Sequence, residues 1–523
     1  MKVRLMQRDR GFDPQICGSS SFADLVKDLQ LDLLFDAMAV QDTFLREIAR
    51  AALLASLCDP HEITYRQEVL TDCLEQPEII RGLYNLAAEA IEGEKKIWGF
   101  LSSRYAEGAL HRAIEVLSMF LGVFHGLREI VDTHEPKFRS RGFQRFFAMV
   151  REELDDTYLA TVGEHLKELE FRGGVLISAE LGLGGKGSNY TLRKHVQNSS
   201  GWWDRLQEWT EELFTNHEAP FIYEVDPRDQ AGASALAELK VQGIRDVARA
   251  LAQSTDHILS FFKELRTELG FYIGCLNLHE RLAQKQEPVC FPEPLPPVPH
   301  ELQCRGLYDV CLSLNLPGRT VGNDIAATGK PLIVITGANQ GGKSTFLRSA
   351  GIAQLMMQCG MFVPAHEFRA SVCTGVYTHF KREEDVAMKS GKLDEELARM
   401  NAIVDELRPG GMVLLNESFA STNEREGAEI AGEIVRALLE SRVKVFCVTH
   451  MFELSDGLYQ ANRTDALFLR AERLSDETRT FRLIEGLPLP TSYGADLYLR
   501  IFCDGPRTEQ NAVEYESSEL GAL

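Results

Sequence analysis

The 523-residue sequence has no C-x-x-C pair among its 11 cysteines, no long apolar run and no excess of positive charge. Each absence removes a class of protein. Scattered cysteines without paired spacing argue against a zinc ribbon or a disulfide framework and point to reduced, mostly buried thiols. With no apolar run of about 20 residues, no segment is a candidate membrane helix. The opening residues, MKVRLMQRDRGFDPQ, carry no apolar h-region, which sets aside a secretory signal and leaves the cytoplasm as the expected compartment. Lys and Arg number 56 against 77 Asp and Glu, a formal net charge of −21. Binding nucleic acid over a whole surface needs clustered cations, so any such contact here has to be local. No internal repeat is visible.

What is present is ordinary globular material: 44% hydrophobic and 25% charged residues, in a length that predicts two to four domains. Residues 20–170 read as helix almost throughout, with apolar residues at helical spacing in FADLVKDLQLDLLFDAMA (22–39) and ALHRAIEVLSMFLGVFHGLREIV (109–131). Asp59-Pro60 and Gln76-Pro77 mark turns or helix starts. From Gly173 the pattern changes: GVLISAEL (174–181), NYTLRK (189–194) and PFIYEVD (220–226) read as strands. Residues 231–285 are helical again. About 50 residues of unbroken helix would reach about 75 Å, a lever rather than part of a compact domain. PVCFPEPLPPVP (288–299) follows, with six prolines in twelve residues, and reads as a linker. Beyond it strands and helices alternate, which predicts a parallel sheet with covered faces.

Two strand ends carry chemistry. Gly337-Ala338-Asn339-Gln340-Gly341-Gly342-Lys343-Ser344 fits G-x-x-x-x-G-K-[ST], after the apolar strand PLIVITG (331–337) and before a helix that opens through Thr345. The glycines let backbone N–H groups face phosphate oxygens, and the new helix aims its positive end at them. Lys343 is expected on the outer phosphates and the Ser344 hydroxyl on magnesium. A second strand, GMVLLNE (411–417), ends in Asn416 and Glu417. Glu417 is the natural polariser of an attacking water. Asn416 stands where a carboxylate would hold the magnesium through its water shell; its amide oxygen accepts a hydrogen bond but brings no charge. That predicts weaker metal binding and slower hydrolysis. His450 ends the next strand, where it can sense a γ-phosphate. A second glycine stretch, Gly182 to Gly187, formally fits G-x-G-x-x-G, but NYTLRKH after it reads as strand, so it is expected to be a hairpin tip.

In this order the motifs resemble the MutS family of DNA mismatch repair ATPases, an ABC-type class. TGANQGGKSTFLR (336–348) is similar to the family's phosphate loop, with Ala338 and Gln340 where Pro and Met are usual. NESFASTN (416–423), CVTHMFEL (447–454) with its switch histidine, GLPLPTSYGADLYL (486–499) and Asn323-Asp324 also resemble family segments. LLASLCDPHEITYRQEVLTDCL (53–74) looks like the start of the family's helical core. The resemblance spans most of residues 40–500. It implies a helical core and first lever segment (1–170), a small β-containing clamp-like insertion (171–228), a returning lever helix and Pro-rich linker (229–300), an ABC-type P-loop ATPase domain of mostly parallel sheet (301–505) and an acidic tail (506–523).

It further implies ATP and Mg2+ as cofactors, and a homodimer in which each ATP site is completed by a partner's signature loop. That loop should lie near MKSGKLDEE (388–396), at Ser390 or Gly391. No Phe-x-Glu module stands ahead of the helical core, so mismatch reading by an inserted wedge is not expected. DNA is the implied partner of an ATP-driven clamp. Candidate contacts are Lys137, Arg139, Arg141 and Arg145, interleaved with Phe138, Phe143, Phe146 and Phe147, and Lys186, Arg193 and Lys194 around the hairpin. The first set reads foremost as a helix with one apolar and one solvated face, and only second as a surface that stacks bases. The alternatives are levers that grip a protein, or a scaffold that binds nucleotide without hydrolysing it.

Overall fold

Prolines and capping side chains set where the N-terminal helices begin. The helices are α1 (Ser21–Asp28), α2 (Leu31–Ala39), α3 (Thr43–Leu54), α4 (Pro60–Glu75), α5 (Pro77–Lys96), α6 (Ala106–His134), α7 (Arg141–Glu153) and α8 (Asp156–Leu169). Pro60 and Pro77 each open a helix, where a missing N–H costs nothing. Asp42 accepts from the Phe44 amide at 2.8 Å, and Ser140 accepts from the Phe143 amide at 3.3 Å. Strands β1 (Leu176–Leu181) and β2 (Gly187–Arg193) then pair antiparallel. A strand therefore follows the second glycine stretch, which excludes the dinucleotide-loop reading. Helix α9 (Gln230–Gln284) runs unbroken for 55 residues. The computed structural model describes residues 1–16, 21–97, 106–170, 176–181, 187–193, 230–338, 340–382, 391–461, 464–473 and 479–489. The strand expected at 220–226 and the Ser-Tyr-Gly part of 486–499 lie outside them.

The remaining elements are β3 (Glu293–Leu295), β4 (Leu302–Leu307), α10 (Val310–Asn315), β5 (Asn323–Ala326), β6 (Leu332–Thr336), α11 (Lys343–Gln358), β7 (Glu367–Ser371), β8 (Val376–Phe380), α12 (Lys392–Glu406), β9 (Met412–Asn416), α13 (Glu424–Glu440), β10 (Lys444–Val448), α14 (Phe452–Ala461), β11 (Ala466–Arg473) and β12 (Arg479–Glu485). The chain forms two compact units that do not follow chain order. One holds Met1–Phe12 with Glu68–Ile273, the other Asp13–Gln67 with Gly274–Leu523. That grouping divides the 1–170 segment, because α1 packs on β8 and α2 on α10.

The helical unit is built on aromatic packing. Phe124 stacks on Phe262 at 5.4 Å, and Phe120 lies 5.5 Å from the same ring. The other unit is built on a six-stranded sheet in the order β12-β11-β6-β10-β9-β8, parallel except for β12. Strands covered on both faces have no polar side, which is why LIVIT, MVLL and KVFCV are near-continuous apolar runs. Val334, Val413, Leu415, Val445 and Cys447 meet Ala431 and Val435 of α13 in its core. A smaller sheet, β3-β7-β4-β5, lies in the same unit. The thiols behave as the composition predicts: Cys73, Cys275, Cys304, Cys311, Cys359, Cys373 and Cys447 are buried and form no disulfide. Among the described residues no helix is long and apolar enough to cross a membrane.

Candidate active site

Three strands deliver the site. β10 lies between β6 and β9, in register Val448↔Ile335 and Val448↔Asn416. The carboxyl ends of all three therefore converge, at the place where chain order along the sheet reverses, which is where open α/β sheets bind ligands. The loop after β6 needs glycine. Gly342 caps α11 at φ +90°, and a Cβ there would sit 3.1 Å from the Phe481 carbonyl oxygen. A Cβ on Gly341 would sit 2.6 Å from the Ala471 side chain. The β11–β12 hairpin thus lies against the loop, and Arg479 Nη1 donates to Gln340 Oε1 at 2.5 Å. Helix α11 is anchored by Arg348, which ion-pairs with the buried Asp309 at 2.7 Å.

Lys343 is 5% exposed and folds back onto its own loop, donating to the Gly337 oxygen at 2.7 Å and the Ala338 oxygen at 3.0 Å. Burial lowers its pKa and the Glu417 carboxylate opposes that shift. Ser344 Oγ donates to Asn416 Oδ1 at 2.9 Å, so the first turn of α11 and the end of β9 meet directly. Glu417 Oε2 lies 3.9 Å from His450 Nδ1, beyond hydrogen-bond reach but close enough for a shared water. Thr345 is half-buried in the same first turn. Hydroxyl, amide and carboxylate oxygens are the hard donors that suit magnesium. Among the described residues no group of three His, Cys, Asp or Glu could hold a metal ion by itself.

The turn after β9 is unusual in its backbone. Glu417 has φ +52° and Phe419 φ +61°, neither with glycine's freedom, and each such residue costs on the order of 1–3 kcal/mol. Sequence reasoning singled out Glu417 as a candidate but missed the residues that hold this turn, chiefly His379 and Ser418. The only signal was a histidine inside an otherwise apolar and aromatic strand, GVYTHF.

In the first candidate DNA patch the reading of a helix with one apolar and one solvated face holds for the aromatic residues. Phe138, Phe143, Phe146 and Phe147 are all buried and pack on one another, Phe138 to Phe143 at 4.6 Å and edge-on to Phe147 at 5.1 Å. They are core, because α7 is amphipathic and turns this face inward, so no base can stack on them. Lys137, Arg139, Arg141 and Arg145 are exposed. Arg141 pairs with Glu68 at 3.1 Å, and Arg145 donates to the Arg8 carbonyl at 3.0 Å. Asn339, Lys186, Lys194 and Ser390 lie outside the described residues, as does the side chain of Arg193. Gly391 caps α12.

A strand, a glycine loop with lysine and serine, and an acidic strand end beside it define a P-loop ATPase domain. The chain belongs to the MutS family: residues 58–285 match the MutS2 N-terminal domain and residues 333–501 match MutS domain V. It is similar to Endonuclease MutS2 of Lacticaseibacillus paracasei, 28% identical over 295 residues, covering 55% of this chain and 36% of that protein. Endonuclease MutS2 of Carboxydothermus hydrogenoformans is 32% identical over 158 residues, covering 30% of this chain and 20% of the relative. DNA mismatch repair protein MutS of Thermus aquaticus is 36% identical over 124 residues, 24% of this chain and 15% of the relative. The match to the first two MutS2 relatives spans 36% and 32% of their length.

Proposed function

We propose that the chain is a MutS-type ATPase whose nucleotide cycle opens and closes a dimeric clamp on DNA, in repair or recombination and in the cytoplasm. The observation that carries this is the 2.9 Å contact from Ser344 to Asn416, which joins the phosphate loop to the strand end bearing Glu417. Lys343 leaves the two loop carbonyls for the outer phosphates of ATP. Ser344, and Asn416 through water, would hold magnesium, which would supply charge neutralisation for phosphoryl transfer. Glu417 Oε2 takes the proton of the water that attacks in line, and His450 sits beside it on the γ-phosphate side. The contact with the partner's nucleotide is assigned to the signature position, Ser390 or Gly391. DNA contacts from Lys137, Arg139, Arg141 and Arg145 go to phosphates rather than bases, since their neighbouring rings are buried.

ATP turnover measured with and without duplex, branched and single-stranded DNA, over a series of salt concentrations, tests this reading. The expected result is magnesium-dependent turnover that DNA changes, with binding that weakens as salt rises. Absence of DNA binding at low salt replaces the clamp with a protein partner, the reading that the net charge of −21 favours. Nucleotide uptake without turnover leaves a scaffold.

A further inference from the structure

The turn that carries Glu417 holds a backbone its residues disfavour, so something must over-determine it. Two holds are ordinary. The Glu417 amide donates to the Val448 carbonyl at 2.9 Å. Phe419 is fully buried, and its carbonyl occupies the space beside Gly427, where a Cβ would lie 2.4 Å away.

The third hold is His379 on β8, which is completely buried. Its Nδ1 lies 2.8 Å from Ser418 Oγ and its Nε2 3.0 Å from the Glu396 carbonyl oxygen. Its ring stacks on Phe419, centroids 5.1 Å apart and planes 18° from parallel. A carbonyl only accepts, so Nε2 carries the hydrogen. Burial, then the nearby Arg399 guanidinium, pushes the imidazole down to about 4, so the ring is neutral and Nδ1 accepts. The Ser418 hydroxyl proton is then shared between Nδ1 and the His379 carbonyl oxygen, 2.6 Å away. Helix α12 therefore reaches the turn through the imidazole, by way of the Glu396 main-chain carbonyl.

We propose that His379 is a positioning residue for hydrolysis: it latches the Glu417 turn to α12, so that the carboxylate facing the attacking water is placed by that helix. This rests on Glu417 being the base. Because α12 starts at the Gly391 cap, the latch also connects the base to the element expected to meet the partner's nucleotide.

The test uses the full chain and measures kcat, nucleotide KM and melting for His379→Leu, His379→Gln, Ser418→Ala and the His379→Leu/Ser418→Ala pair. Misplacing a reacting group by about 1 Å costs up to about 100-fold. The expected result is a roughly 10- to 100-fold fall in kcat with nucleotide KM within about twofold. The double variant is expected to be no slower than the worse single one, because both cut one chain. His379→Gln, whose amide still reaches the Glu396 carbonyl, recovers part of the rate. Unchanged kcat in His379→Leu and Ser418→Ala overturns the latch, and so does an equal loss of nucleotide affinity, which marks a merely structural residue. Should His379→Leu fail to fold, Ser418→Ala keeps the ring in place, and an unchanged kcat there is sufficient to overturn the proposal. Glu417→Gln distinguishes the two layers: wild-type turnover in that variant removes the base itself, whereas an inactive Glu417→Gln beside normal latch variants removes only the latch.

Discussion

The helical unit and the ATPase unit bury polar groups for different ends. In the helical unit they staple chain to chain. Asp72, 3% exposed, accepts from the Ser140 amide at 2.8 Å and from the Arg139 amide at 3.1 Å, fixing the entry to α7. Glu268, inside α9, accepts from the Leu5, Met6 and Phe12 amides at 2.5, 3.0 and 3.2 Å, fixing the N-terminal segment. In the ATPase unit, Lys343, His379, Ser418 and Thr449 gather at the ends of neighbouring strands instead. A buried polar group with its partners supplied stabilises a fold. Among the described residues, Lys343 instead has only the carbonyls of its own loop as hydrogen-bond partners, which on the proposed reading it exchanges for phosphate.

The comparison breaks most visibly at Lys343. Lys343→Ala should cut ATP turnover by about 10³-fold, the scale of removing a preorganised charge donor, with melting nearly unchanged. A large loss of stability would make Lys343 a staple like the others. Next in size is Glu268, whose pKa is raised to about 7 because burial outweighs its three amide donors. The unfolded carboxyl ionises near 4.5. Between those values the unfolded state loses its proton and the folded state keeps it, so stability should fall by up to about 3 kcal/mol as pH rises through that window, and level off above it. Glu268→Gln should flatten the slope; a slope that survives assigns it elsewhere. Asp72→Ala strands the buried Ser140 amide and the half-buried Arg139 amide and should cost about 2 kcal/mol in denaturant melts while turnover per folded molecule stays the same. The smallest change is Asn416→Asp. Restoring a charge in a hydrated metal shell should lower the magnesium needed for half-maximal turnover roughly tenfold, well inside the ~4 kcal/mol of a close pair at an effective dielectric of 20. An identical magnesium titration would place Asn416 outside the metal shell.

Much of the ATPase unit was legible because covered strands spell themselves as apolar runs and the phosphate loop has a fixed spacing. Strand β9 was expected at 411–417 and runs Met412–Asn416; α9 was expected at about 231–285 and runs Gln230–Gln284. Local rules also placed α4 and α5 at their prolines. What was not legible depends on contacts distant in sequence. The spacing of Phe143 and its neighbours favours core over a stacking surface, but only their partners across α6 and α7 decide it. The grouping of residues 13–67 with the far half of the chain leaves no mark in periodicity. His379 acquires its meaning only from Ser418 and Glu396, 39 and 17 residues on.

The buried thiols make the two units separately observable. Burial pushes Cys359, Cys373 and Cys447 up to about 12 and Cys73 well above its ordinary value, so none carries thiolate while its surroundings stay closed. Alkylation at each then clocks the opening of its own neighbourhood. Cys73 times one unit and the other three time the second, within a single sample and without any engineered label.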